Sequence, residues 1–234
     1  MYVVDRDFGF APNPFHGCCT LATCKPQIRR SAAEDDWVIG MGGGRLRASG
    51  RCIFAMRVDQ KLSFDEYWQA PAFKDKIPVR NGSARMLVGD NIYHREIASG
   101  AWVQADSHHS NPDGTANEHN VRQDTRVDAV LVSKHFYYFG RDARVVPPQI
   151  LRALGYKNGR SHRVFDLTID FAGFTGWLER AFKQDLNRVS ADPFDFGDCT
   201  SRYSVQTNKL YHHEHGQDSP SGKTKGAGKR TVGI

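Results

Sequence analysis

Between residues 34 and 59 the chain alternates two apolar runs with a glycine cluster. Asp36-Trp37-Val38-Ile39-Gly40-Met41 reads as a short apolar strand. Gly50-Arg51-Cys52-Ile53-Phe54-Ala55-Met56-Arg57-Val58 reads as a second, apolar on both faces for part of its length. Gly42-Gly43-Gly44 between them imposes a turn, so the pair is predicted to run antiparallel. Ser63-Phe64-Asp65-Glu66-Tyr67-Trp68-Gln69 carries the signature of a capped helix, with Ser63 as N-cap and Glu66 as its reciprocal partner; Pro71 ends it.

Further along, Arg85-Met86-Leu87-Val88-Gly89 and Ala101-Trp102-Val103-Gln104 are strand-like islands in a polar stretch. Residues 106–120 carry little apolar content and read as a long polar loop. Strand character returns at Val127–Ser133 and His135–Phe139. Pro147–Leu154 is a short helix with proline in its first turn and Gly155 as its stop. Phe174–Leu186 has the best helical apolar face in the chain. Residues 1–30 are irregular, with two prolines and two glycines among three phenylalanines in Phe8–Gly17. Such rings pin a loop to the core or wall a pocket. There is no βαβ spacing.

The expected architecture is α+β: a small curved antiparallel or mixed β-barrel with short flanking helices, occupying residues 1–199 as one domain. Apolar density collapses after Cys199, and residues 200–234 are expected to be a flexible, disordered basic tail. The net charge of +6 divides into +4 within 201–234 and +2 in the rest, so a basic pI says little about the body of the protein. No apolar run approaches the roughly 18 residues of a membrane span. The start Met1-Tyr2-Val3-Val4-Asp5-Arg6-Asp7 is unlike a secretory leader. Five cysteines, two of them adjacent, make a disulfide framework unexpected. A cytoplasmic protein is expected.

Three segments concentrate reactive side chains. In Cys18-Cys19-Thr20-Leu21-Ala22-Thr23-Cys24-Lys25-Pro26, a cation beside Cys24 favours a thiolate, which makes Cys24 a candidate nucleophile and Lys25 an anion holder. Cys24 can equally be a small buried hydrophobe. His108, His109, His119 and Asp124 in the long loop are candidates for acid/base work. With Cys24 or His94 they could ligate zinc, but no Cys-x-x-Cys pair faces a His pair, so no metal and no cofactor are expected. Gly89-Asp90-Asn91-Ile92-Tyr93-His94 could present a heterocycle with hydrogen-bonding edges, or be an Asx turn. No P-loop, nucleophile elbow or dinucleotide fingerprint is present.

Two resemblances enter on these residues. Glu34–Gly40 with Gly50–Val58 resembles the core hairpin of the PUA-like superfamily, particularly EVE and YTH domains. That resemblance implies a small barrel with a base-binding pocket. Cys19–Pro26, Asp36–Gly40, Gly89–Tyr93 and Val130–Gly140 together resemble the nucleotide modification associated domain, type 2, over roughly residues 2–195. That resemblance implies a setting of DNA base modification or defence around modified DNA, with no catalytic residues to carry over.

The first reading is a module binding nucleic acid or nucleotide, including one that bears a modified base. Trp37, Trp68, Tyr93 and Trp102 would stack on the base, and Asn91, Gln104 and His108 would read its polar edge. The second is an enzyme on a nucleotide or base using Cys24, Lys25 and the loop histidines. The third is a non-catalytic accessory subunit with partner proteins from a modification or defence system.

Overall fold

The computed structural model describes residues 1–159, 162–165 and 169–212. In chain order its elements are β1 (Tyr2–Val4), β2 (Cys19–Leu21), α1 (Pro26–Ser31), β3 (Trp37–Gly42), β4 (Arg51–Arg57), β5 (Gln60–Leu62), α2 (Phe64–Gln69), α3 (Ala84–Leu87), β6 (Tyr93–Arg95) and β7 (Trp102–Gln104). They continue with α4 (Glu118–Thr125), β8 (Val130–Ser133), β9 (His135–Tyr138), β10 (Arg144–Val145), α5 (Pro148–Ala153), α6 (Ile169–Ala181), β11 (Arg188–Val189), β12 (Arg202–Ser204) and β13 (Lys209–Tyr211).

The apolar runs do pair: β3 lies antiparallel to β4, with Trp37 opposite Arg57 and Ile39 opposite Ala55. Because β4 is apolar on both faces, it takes the centre of the main sheet. β9 pairs with its other edge, β1 extends the sheet parallel to β3, and β11 extends it parallel to β9. The period-two alternation then splits the side chains between two cores. Val38, Phe54, Met56 and Tyr138 pack toward Leu21 and Leu131 of the second sheet, β2-β8-β5. Ile39, Met41, Ala55 and Tyr137 pack on the other face against Phe174 and Leu178 of α6.

The architecture is thus α+β, with several sheets. Among the described residues none closes into the expected small barrel, because the edge strands β1 and β11 lie at opposite ends of the main sheet and do not pair. Two local expectations are corrected. The island at Arg85–Gly89 is not a strand; α3 forms there, closed by Leu87 N–H donating to Ser83 O at 2.9 Å. A short apolar run does not distinguish the two. The late helix spans Ile169–Ala181 rather than 174–186, and a 3₁₀ turn over Lys183–Asp185 follows it. The capping box of α2 forms as read: Ser63 N–H donates to Glu66 Oε2 at 2.7 Å, and Glu66 N–H donates to Ser63 Oγ at 3.2 Å.

A buried polar network fixes the loop that leads to Cys24. Lys76 Nζ, 1% exposed, donates to Asn13 O at 3.0 Å and Cys18 O at 2.9 Å. Asp90, fully buried, accepts from Thr20 Oγ1 at 2.7 Å and Tyr67 Oη at 2.8 Å. Asn91 beside it donates to Tyr67 O and Phe73 O. The Gly89-Asp90-Asn91 corner is therefore internal bracing, not a surface that reads a base.

The chain does not leave the body at residue 200: β12 and β13 form a hairpin in which Ser201, Arg202 and Ser204 are buried. The rest of the expected tail, residues 213–234, lies outside the described residues. No helix among the described residues is long and apolar enough to cross a membrane.

Packing around β3 gives a direct test. A Cβ on Gly40 would sit 2.1 Å from Phe54 Cε1 and 2.8 Å from Val4 Cγ2, whereas one on Gly44 would meet nothing within 4 Å. Gly40→Ala is expected to destabilise the protein by about 1–3 kcal/mol, the usual cost of overpacking. Gly44→Ala is expected to change stability by less than about 0.5 kcal/mol. Paired chemical-denaturation curves check both.

Candidate functional site

Residues 106–120 read as a solvated loop, but Ser107, His108, His109 and Ser110 are each no more than 2% exposed. They are drawn inward by α4. Asn117 caps that helix, accepting from Asn120 N–H at 3.1 Å. One turn apart on one face, Asn120 and Asp124 are both buried. Asn120 Nδ2 donates to His109 O at 2.7 Å, which holds the histidine loop onto the helix.

Asp124 is the hub. Its Oδ1 accepts from Cys24 N–H at 2.7 Å; its Oδ2 faces His109 Nδ1 at 2.8 Å and accepts from Tyr93 Oη at 3.0 Å. Burial opposes its ionisation, yet His109, Arg29 and the Cys24 amide outweigh burial and hold its pKa below the ordinary value. Burial, then the Asp124 charge, keeps Tyr93 a neutral hydroxyl donor by raising its pKa. For His109 burial is again opposed and beaten, here by Asp124 and Cys24, and its pKa is pushed up to about 10.

Cys24 completes a line of three groups. Its backbone is left-handed at φ 57°, as is that of Lys25 at φ 38°, so the chain turns sharply before Pro26 opens α1. The turn leaves Cys24 Sγ half-buried and 3.7 Å from His109 Nε2. Such a bend in two non-glycine residues costs free energy and needs support from the surroundings. Arg29, fully buried, supplies it. Its Nε donates to Cys24 O at 2.9 Å, one Nη to Val127 O at 2.8 Å and Ala129 O at 2.6 Å, and the other to Asp124 O at 2.6 Å.

The other candidates separate from this line. His108 is next to His109 but has the opposite environment. Burial first, then the neighbouring His109 charge, drives its pKa down to about 3, and its Nδ1 hydrogen-bonds Ser201 O at 2.7 Å. It is a neutral strut packed on Phe8 and Phe10, not an acid/base group. His119 lies on the exposed side of α4, 3.1 Å from an Arg122 nitrogen, and does not reach Cys24. Lys25 is beside Cys24, with its Nζ 4.9 Å over the Tyr2 ring.

Trp37 packs edge-on to His135, Trp68 stacks on His94 and Trp102 lies beneath Arg95; none lines the space at Cys24. Tyr93 and Gln104 belong to the Cys24 group as internal braces, with Gln104 Nε2 donating to Tyr93 Oη at 3.0 Å. Arg29, Asn120 and Tyr203 were not singled out in the sequence. Their importance comes from contacts across 83 to 100 positions, which no local pattern encodes.

Cys24 and His109 open on a cavity of about 790 Å³. A second cavity, of about 430 Å³, meets it at the same residues. The β12–β13 hairpin forms part of the wall. It is tied down by Tyr203 N–H donating to His108 O at 2.7 Å and by Asn120 Nδ2 donating to Tyr203 O at 2.6 Å.

Chemically, the line Cys24–His109–Asp124 can do two things. A thiol, an imidazole and an orienting carboxylate in this order form a nucleophile with its base. The same three side chains offer ligand atoms within 4.8 Å of one another, a set that could hold a metal ion. The hydrogen bonds favour the first. Both Asp124 oxygens already accept donors, and turning either to a metal would strip the Cys24 amide or Tyr93 of its partner.

A family model described as nucleotide modification associated domain 2 matches residues 1–200. No curated protein and no solved structure matches the chain.

Two outcomes follow from the site. Arg29→Met leaves four buried carbonyls without their donor and is expected to cost about 3–5 kcal/mol, the range for breaking a buried charged cluster. Urea titration measures it. His109 has a folded pKa raised from 6.5 to about 10, so its contribution to stability is complete below about pH 6.5 and is lost as pH rises through 10. The stability gap between wild type and His109→Gln is therefore expected to be widest just below pH 6.5 and to close toward pH 10. Denaturation curves across that range check the sign.

Proposed function

The chain belongs to the nucleotide modification associated domain 2 family, and from that premise we propose that it is a cysteine-dependent enzyme acting on a nucleotide-type substrate. The observation that carries this reading is the line Cys24 Sγ–His109 Nε2, 3.7 Å, and His109 Nδ1–Asp124 Oδ2, 2.8 Å, at the edge of a cavity of nucleotide size. His109, its pKa pushed up to about 10, holds at Nε2 the proton shared with Cys24 Sγ, and the sulfur so freed attacks an electrophilic carbonyl carbon. His109 then returns the proton to the leaving group. Asp124 holds the ring through Nδ1 and stabilises the imidazolium form. Lys25, adjacent to Cys24, supplies positive charge at the mouth.

This is the reading in which Cys24 acts as nucleophile, with His109 and Asp124 as its base and orienting acid. A base-reading module built on Trp37, Trp68 and Trp102 is less well supported, since those rings stand apart from the cavity. Recognition of a modified base, and a role in DNA modification or phage defence, would place the base in the cavity at Cys24. Support for that setting comes from the family alone.

Alkylation with iodoacetamide, followed by intact-mass and peptide analysis, tests the proposal. Cys24 is expected to react first, because the other four cysteines are buried. His109→Ala is expected to slow it at least about tenfold through loss of the imidazole that holds the proton beside Sγ. A chelator is expected to leave the rate unchanged. Equal rates in wild type and His109→Ala would overturn the assignment, and activation by a chelator would favour a metal at these residues.

A further inference from the structure

Cys24, Lys25, His109, Tyr203 and Asn208 line both cavities at once. The two spaces differ in chemistry. To the shared wall the larger adds Gln27, Asn120, Gln123, Asn158 and the cation Arg126. Neither Lys25 nor Arg126 has an ion-pair partner among the described residues. The carboxylates on that wall are Asp124, whose oxygens are occupied, and the exposed Asp5. The smaller cavity adds Val4, Phe8, Phe10 and Ala11. Of its two arginines, Arg45 pairs with Asp195 at 2.9 Å, while Arg6 hydrogen-bonds the neutral Asn208 side chain at 3.2 Å and stands over the Tyr203 ring. The charge of Lys25 is thus common to both spaces; the larger adds Arg126 among amides, and the smaller adds an apolar wall beside Arg6.

A thiol that only hydrolyses its substrate needs room for one organic molecule and a water. Here two adjoining spaces meet at Cys24, each within the size range of a small-molecule site. We infer that Cys24 serves two subsites: the larger takes a phosphate-bearing nucleotide against Lys25 and Arg126, the smaller takes an acyl donor along Phe8 and Phe10, and the acyl group passes between them. The inference rests on Cys24 being the nucleophile.

Sγ forms a bond to the donor's carbonyl carbon, the carbonyl–leaving-group bond breaks, and His109 delivers the former thiol proton to the leaving group. An amine or hydroxyl of the nucleotide then bonds to the thioester carbon and gives its proton to His109. The carbon–sulfur bond breaks, and that proton returns to Cys24. No electrons are exchanged with an oxidant or reductant. The Arg6–Asn208 contact and the Tyr203 ring, over which Arg6 stands at 5.1 Å, lie along the shared edge of the two spaces.

The test uses the full chain, with 4-nitrophenyl acetate as acyl donor. The acceptors are dAMP, dCMP or 5-hydroxymethyl-dUMP, with inorganic phosphate as the control for plain anion binding. Intact mass reads the acetyl adduct on Cys24, with Cys24→Ala as blank, and mass spectrometry of the small molecules reads the product. The expected result is an adduct whose loss is speeded at least about tenfold by a nucleotide and not by phosphate, with acetylated nucleotide as product. Arg126→Gln, at an exposed position, is expected to raise the half-saturating nucleotide concentration roughly threefold to tenfold. Loss of the adduct to water at one rate with or without nucleotide overturns the two-subsite inference and leaves the nucleophile standing. A nucleotide adduct on Cys24 formed without donor also overturns it. Absence of any adduct in the wild type overturns the nucleophile itself.

Discussion

The fold around Cys24 depends on one buried cation. Arg29 sits in the last turn of a six-residue helix and sends its guanidinium under the strained turn at Cys24 and Lys25. A guanidinium presents five donors in a fixed plane, and here four carbonyls converge on it. Those carbonyls belong to the cysteine turn, the C-terminal half of α4 and the strand entrance at Val127–Ala129. Without this knot the turn would have no reason to hold its left-handed backbone, and α4 would have no fixed distance from Cys24.

The knot also sets the electrostatics. Asp124 is ionised in a dry site because Arg29 and His109 stand beside it, and that charge in turn makes His109 cationic. The neighbouring His108 shows how local this effect is. It has the same side chain, equally buried, one residue away, yet burial between Phe8, Phe10 and Tyr203 and the neighbouring His109 charge keep it neutral. One His-His pair therefore divides into a proton carrier and a strut. Environments that push two like groups apart are a mark of acid/base sites.

The C-terminal hairpin joins this arrangement through backbone bonds to His108 and Asn120, so the wall of the cavity and the orientation of His109 are mechanically linked. The family match ends at residue 200, while Tyr203, Val205 and Asn208 line the cavity beyond it. The part of the chain that lines the cavity on that side is thus not the part that carries the family pattern.

The amino-acid sequence by itself determined the elements whose cause is local: the β3–β4 hairpin from two apolar runs around glycines, the α2 capping box from Ser63 and Glu66, and the short α5 from Pro148. It also carried Cys24, Lys25, His109 and Asp124 as reactive types, and the family pattern over most of the chain. The tertiary structure alone decided which of the reactive residues meet. Cys24 and His109 are 85 positions apart, and Cys24 and Asp124 are 100 apart. Sequence periodicity reaches only a few residues, so it could not separate His109 from His108 or His119, nor place Trp37, Trp68 and Trp102 away from the cavity. The residues that make the site possible, Arg29 and Asn120, carry no reactive signature. They matter through hydrogen bonds to distant backbone, and those exist only once the chain has closed.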